Sequence, residues 1–280
     1  MKKAFQKFIP KLIGSAVNTQ YLFDKKGAVQ RAFDIFCTPR KGRVLPDQKS
    51  FLNPAKDKTL SAEGVEIQTY VWEGDGPTIL LIHGWESNVW RWHKYIPEYL
   101  SQGYRVVAFD APGHGNSSGS ILNVPLYTEA INAVVSNYNP DYTVAHSIGA
   151  LSSIYYFKKF QPTTLKKMVV LGSASELSEI MDDYQRILGL SPKVMRDLEA
   201  FLKARFGLSF KTFSGAAFAK AVTVPGLIIH DKHDRITPVS ASRAIHKNWK
   251  DSSYIETEGL GHSLYQDEVR EAIIDFLAAE

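Results

Sequence analysis

From residue 64 onward, short β-branched apolar runs alternate with stretches of helical periodicity, and this alternation restricts the fold more than any other feature. Runs at 64–72, 78–84, 104–110, 142–147, 166–172, 226–231 and 252–258 read as strands. Those containing ILLI, VVAF and MVVL show no polar alternation, so both of their faces must be covered, as in a parallel sheet between helices. GVEIQTYVW (64–72) alternates instead, as an antiparallel edge strand with one wet face would. Helical patterns fall at 88–101, 124–137, 148–160, 240–249 and 266–278. The expectation is an α/β protein with a mostly parallel central sheet flanked by helices.

One interval breaks the rhythm. Residues 174–224 separate two consecutive strands, whereas a crossover needs only a dozen or so residues. They read as two or three helices, one of them opening with Ser191 as N-cap and Pro192 at the first helical position. This is an inserted helical segment.

Composition sets outer bounds. With 44% hydrophobic and 22% charged residues, the 280-residue chain can bury a sizeable core. Its one cysteine, Cys37, excludes an internal disulfide framework and any multi-cysteine metal site, and suits a reducing, cytoplasmic compartment. The formal charge of +4 is uneven: residues 1–50 hold eleven Lys or Arg against three Asp, leaving the remainder acidic. A nucleic-acid partner is therefore not expected of the body of the protein. The first residues, KKAFQKFIPKLIGSAV, place Phe5, Phe8, Ile9, Leu12, Ile13, Ala16 and Val17 at helical spacing, with Lys2, Lys3, Lys7 and Lys11 mostly opposite. Two readings stand: a helix packed on the protein's own body or a partner subunit, and peripheral contact with an anionic membrane.

Nucleophilic catalysis by a hydroxyl needs a base, and the base needs an orienting group, so three pieces must occur together. AHSIGA (145–150) follows a strand and opens a helix, where a G-x-S-x-G nucleophile elbow belongs, and it presents Ser147. Ala145 replaces the first glycine by the smallest step available, and Gly149 stands at the last position. His262, in EGLGHSL, follows the last strand. HDKHDRITP (230–238) closes the strand before it and offers Asp234, with Asp231 and Glu176 as rival carboxylates. Singly these signals are weak, since S-x-G is common and a loop histidine is usually ordinary surface. Jointly, each follows the C-terminal end of a different strand, where open α/β sheets bind ligands.

HGW (83–85), DAPGHGNSSG (110–119), AHSIGA (145–150) and the pair DRITP with GHS together resemble the α/β-hydrolase superfamily over roughly residues 60–280. The resemblance implies that fold, with a small helical cap inserted after the sixth strand. It divides the chain into a basic extension (1–60) and a hydrolase domain (61–280) that includes the cap at 174–224. It favours Asp234 as the acid of a Ser147–His262–Asp234 triad and assigns the oxyanion donors to the backbone N–H groups of Trp85 and Ile148. Asp110 and His114 fall to scaffold. A serine at the elbow excludes the aspartate-dependent dehalogenase and epoxide-hydrolase branches.

The expected activity is hydrolysis of a small-molecule carboxylic ester or thioester through an acyl-enzyme, with no cofactor and no metal. An acyltransferase, a carbon–carbon hydrolase and a non-catalytic ligand binder are the alternatives. His83, Trp85, His146, Phe210 and Phe213 are candidates for contact with substrate, although the aromatic residues of the insertion serve equally well as its own core.

Overall fold

The computed structural model describes residues 2–279, with side chains from residue 8 onward. In chain order, helices α1 (Lys2–Gln20), α2 (Lys25–Cys37) and α3 (Lys49–Leu52) precede strands β1 (Lys56–Ala62), β2 (Val65–Trp72) and β3 (Thr78–Ile82). Next come α4 (Tyr95–Ser101), β4 (Arg105–Phe109), α5 (Val124–Tyr138), β5 (Tyr142–His146), α6 (Ile148–Phe160) and β6 (Lys167–Leu171). The chain closes with α7 (Leu177–Leu188), α8 (Pro192–Phe206), α9 (Gly215–Ala219), β7 (Gly226–Asp231), α10 (Val239–Asn248), β8 (Ser252–Thr257) and α11 (Asp267–Ala278).

Two compact units result: residues 1–38 with 176–214, and residues 39–175 with 215–280. The larger unit holds one eight-stranded sheet in the order β1-β2-β4-β3-β5-β6-β7-β8. Pairing is antiparallel from β1 through β2 to β4 and parallel thereafter. This is the α/β-hydrolase fold. The apolar runs of β3 and β7 are buried at every residue, because the crossover helices cover both faces. β1 escapes a pattern-based reading for a physical reason: KDKTLSA lies on the sheet edge with most of its side chains in water, so it shows no apolar periodicity. The helix expected at 88–101 is split into a 3₁₀ turn at Val89–Trp92 and α4, the turn being capped by Asn88, whose side chain accepts from the Trp90 N–H.

The units divide the chain differently from the sequence-based boundaries of 1–60 and 174–224. Residues 39–60 contribute β1 to the sheet, and α9 packs on α6 and α10 within the larger unit. Residues 1–38 pack with α7 and α8.

The small unit is built by aromatic and close backbone contact. The Phe33 ring lies 5.3 Å from that of Phe201 and 6.2 Å from that of Phe206, and Phe36 meets Tyr184 edge-on. The Tyr184 hydroxyl donates to the Ala32 carbonyl, and Tyr21 donates to Asp197. α8 starts at an Ser191 N-cap, with Pro192 in its first turn. Burial pushes the Cys37 thiol up to about 12, which leaves it inert. α1 rests against the C-terminal end of α7 through Gly14, where a Cβ would stand 2.0 Å from the Leu188 carbonyl oxygen. Lys11 and Asn18 on the same side donate to the carbonyls of Arg186 and Gly189. The apolar stripe at Phe8, Ile9 and Leu12 does not make this contact; those side chains are exposed. The side chains of Lys2, Lys3, Phe5 and Lys7 lie outside the described residues.

If α2 is integral to the small unit, Phe33→Ala should cost about 3–5 kcal/mol, the range for removing a buried aromatic ring. A fall in the urea midpoint of that unit's unfolding transition checks it; an unchanged midpoint would show the ring contacts to be incidental.

Candidate active site

Parallel pairing brings the C-terminal ends of β5, β7 and β8 to one edge of the sheet, and the loops leaving those ends carry Ser147, Asp234 and His262. Ser147 sits between β5 and α6 at φ 57°, ψ −122°, a left-handed conformation that serine adopts only under constraint. The constraint is close packing: a Cβ on Gly149 would stand 2.4 Å from the His83 carbonyl oxygen and 2.9 Å from that of Ile82. Ala145 is fully buried in β5, so its methyl group is accommodated at the first elbow position.

The Ser147 Oγ lies 3.1 Å from His262 Nε2, and His262 Nδ1 lies 2.6 Å from Asp234 Oδ2. A carboxylate can only accept, so Nδ1 carries the proton and Nε2 is free to take one from the serine. Asp234 is saturated with donors. Its Oδ1 accepts the N–H groups of Ile236 (2.7 Å) and Thr237 (3.1 Å), and the Thr237 hydroxyl is 2.9 Å from Oδ2. His230 Nε2 is 3.2 Å from Oδ2, and its Nδ1 is 2.6 Å from the Ser242 hydroxyl. Burial alone would raise the Asp234 pKa. The bonds from His230, His262, Ile236 and Thr237 outweigh it and hold the carboxyl well below the usual carboxylate range.

The rival Asp231 does not reach the imidazole. Asp231 is buried and staples loops together, accepting from the backbone of His233 (3.0 Å) and Leu260 (2.8 Å) and from Thr257 (3.1 Å). Glu176 stands at the N-cap position of α7 in the small unit, where it accepts from Ser214.

The loop bearing His262 is gripped by its main chain. Four consecutive carbonyls each accept from a different side chain: His262 from His146 Nε2 (2.8 Å), Ser263 from Arg91 (2.6 Å), Leu264 from the Tyr95 hydroxyl, and Tyr265 from Arg270 (2.5 Å). Leu264 itself is held at φ 50°. None of Arg91, Tyr95 and Arg270 carries a sequence signal, because a side chain that serves a backbone carbonyl has no partner residue type to betray it. His230 and Thr237 could have been found from their positions four before and three after Asp234.

Among the substrate-contact candidates, His83 has both ring nitrogens engaged by backbone groups. It is fully buried, its Nδ1–H donates to the Gly84 carbonyl (2.8 Å) and its Nε2 accepts the Ala111 N–H (2.9 Å). Burial holds its pKa down to about 3, so it is neutral. His146 is likewise buried and pushed well below the usual histidine value by burial. One ring nitrogen holds the His262 carbonyl, and the other, Nδ1, has no hydrogen-bond partner. Trp85 is half-buried on the loop after β3, its ring edge-on to His114 at 5.6 Å. His114 supports that loop: Nδ1–H donates to the Pro112 carbonyl and Nε2 accepts the Glu86 N–H. Ile148 opens α6, so its N–H has no intrahelical partner. Asp110 is buried scaffold, accepting from Val89, Asn116 and Tyr70. Phe210 and Phe213 belong to the small unit, in which Phe213 is buried. Among the described residues, no group of three His, Cys, Asp or Glu side chains is placed to hold a metal ion.

A serine, an imidazole and an ionised carboxylate in this series can activate a hydroxyl for attack on an acyl carbon. The alpha/beta hydrolase fold family matches the chain over residues 77–219. A pimeloyl-[acyl-carrier protein] methyl ester esterase of Aeromonas salmonicida is 29% identical over 143 residues, covering 50% of this chain and 53% of its own. An (E)-2-((N-methylformamido)methylene)succinate hydrolase of Acinetobacter baylyi is 31% identical over 120 residues, covering 41% and 44%. The chain thus spans about half the length of these curated relatives. Among solved structures, a bacterial membrane phospholipase A superposes with a TM-score of 0.64 at 17% identity, covering 99% of this chain and 98% of its own.

The buried neutral histidines set a pH dependence. His83, His114 and His146 are all lowered by burial, whereas the unfolded chain protonates each near pH 6.5. Below that pH the unfolded state binds more protons, so stability falls as pH falls, and continues to fall until the depressed native values are reached. Between pH 6 and 5 the unfolding free energy should drop with a slope of at least two protons, on the order of 3 kcal/mol per pH unit. Urea titrations across that interval measure it, and a slope below one proton would contradict the assignment of neutral buried rings.

Proposed function

The chain belongs to the alpha/beta hydrolase fold family, and from that premise we propose that it is a serine hydrolase of small to medium carboxylic esters or thioesters. The observation that carries this reading is the continuous series from Ser147 Oγ through His262 to Asp234, with the serine held at a left-handed turn. The names of its relatives, a methyl ester esterase among them, agree with an acyl substrate. A cytoplasmic location, suggested by the single cysteine, is part of the reading.

In the proposed reaction Ser147 Oγ attacks the acyl carbon as its proton passes to His262 Nε2. The carbonyl oxygen becomes an oxyanion, received by the N–H groups of Trp85 and Ile148. Asp234 holds the Nδ1–H tautomer beforehand and stabilises the imidazolium afterwards. The proton on Nε2 then moves to the departing alkoxide or thiolate, leaving an ester on Ser147. Water enters, gives its proton to Nε2 and attacks the acyl carbon; collapse returns a proton to Ser147 and frees the acid. Neutral His146 cannot compete for these protons, because burial disfavours its charged form.

A fluorophosphonate should label the wild type and leave Ser147→Ala unlabelled; equal labelling of both would remove Ser147 as nucleophile. Asp234→Asn should stay folded and lose on the order of 10⁴ in kcat towards a short p-nitrophenyl ester, since it favours the wrong tautomer. If the same loss follows Asp231→Asn instead, another carboxylate orients the base.

A further inference from the structure

The small unit carries a surface that the ester chemistry does not use. α1 packs through Gly14, Val17, Lys11 and Asn18, a narrow side of small and polar residues. Its apolar side points outward: Phe8 is 66% exposed and Leu12 68%, and in the turn after the helix Leu22 is 80% and Phe23 78% exposed. Phe8, Leu12 and Ala16 recur every four residues and share one face, with Ile9 beside them.

The charge of the segment says what such a face would meet. Residues 1–23 contain Lys2, Lys3, Lys7 and Lys11 and no Asp or Glu. Residues 1–50 as a whole carry eleven basic residues against three acidic ones. A second copy docked on the same face would bring two acid-free lysine helices together, and like charges oppose that. An anionic bilayer surface offers both complements at once, acyl chains for the apolar side and headgroup phosphates for the charge of Lys2, Lys3 and Lys7. Among the described residues no helix is long and apolar enough to cross a membrane.

We infer that α1 and the Leu22–Phe23 turn dock the chain on anionic phospholipid bilayers, with Phe8, Leu12, Leu22 and Phe23 entering the headgroup–acyl boundary. The inference rests on the proposed function only in giving an ester hydrolase a place at a lipid–water interface; the binding itself needs no catalysis.

The test is flotation of the full chain with vesicles of equimolar phosphatidylglycerol and phosphatidylcholine, and with phosphatidylcholine alone. Wild-type protein should float with the anionic vesicles, bind the neutral ones at least ten-fold less, and be released by high salt. The triple variant Phe8→Ser/Leu12→Ser/Phe23→Ser should lose at least ten-fold in binding, with unchanged thermal unfolding and unchanged turnover of a water-soluble p-nitrophenyl ester. The lipid and salt dependence of the wild type tests the inference even if the variant fails to fold. Failure to float, or equal binding to both vesicles, would overturn it. So would a wild-type dimer in lipid-free solution that the triple variant converts to monomer, which would make the face a self-association surface. A chain that floats but hydrolyses no ester removes the hydrolase reading and keeps this one; a chain that hydrolyses but stays in the aqueous fraction does the reverse.

Discussion

The φ of 57° at Ser147 is strain that a serine keeps only where its surroundings leave no relaxed alternative. Here the alternative is closed by α6 running hard against the loop after β3, with Gly149 in contact distance of two carbonyl oxygens. The Ser147 N–H is also pinned to the Leu171 carbonyl of the neighbouring strand. Sheet register, helix approach and the glycine therefore act as one device, and the orientation of the hydroxyl follows from all three. The imidazole can lie 3.1 Å away because its own loop is positioned against the same strands.

That loop is held in an unusual way. Ion pairs fix side chains, but the grip on residues 262–265 acts on four successive carbonyls and so fixes the path of the backbone. One of the four donors, His146, is the residue next to the proposed nucleophile, so base and nucleophile are tied together by a single hydrogen bond as well as by the sheet. Arg91 is a buried cation whose described contacts are the Ser263 carbonyl and the faces of Trp92 and Tyr265. A guanidinium suits that place, since it can donate in its plane and lie against aromatic rings on its faces.

How much of this was legible in the sequence depended on what each residue faces. Doubly buried strands announced themselves because no polar alternation interrupts ILLI, VVAF or MVVL, and β1 did not, because its side chains face water. The elbow, His262 and Asp234 could be named because chain order and strand ends restrict where they fall. Contact with substrate could not be read for His83 and His146, since nothing in HGW or AHS tells whether a ring nitrogen is already engaged by backbone. The stripe on α1 was visible as a stripe, but its direction was not. A helix pressed against its neighbour through glycine and asparagine gives no hydrophobic sign of its packed side.

The make-up of the small unit bears on how the chain must come together in time. Tyr21 bonds to Asp197 and Lys11 to Arg186, pairs separated by 176 and 175 residues. During synthesis α1 and α2 emerge before α7 and α8 and cannot find them until the ribosome has passed six of the eight strands. At 5–20 residues per second that is a wait of roughly ten to forty seconds. Through that interval an apolar, lysine-bearing helix is unsatisfied, and closing so long a loop is slow compared with forming βα units from sequence neighbours. Maturation of the chain is thus expected to have two stages, an early sheet and a late helical assembly, with the nascent α1 open to whatever surface or chaperone it meets first.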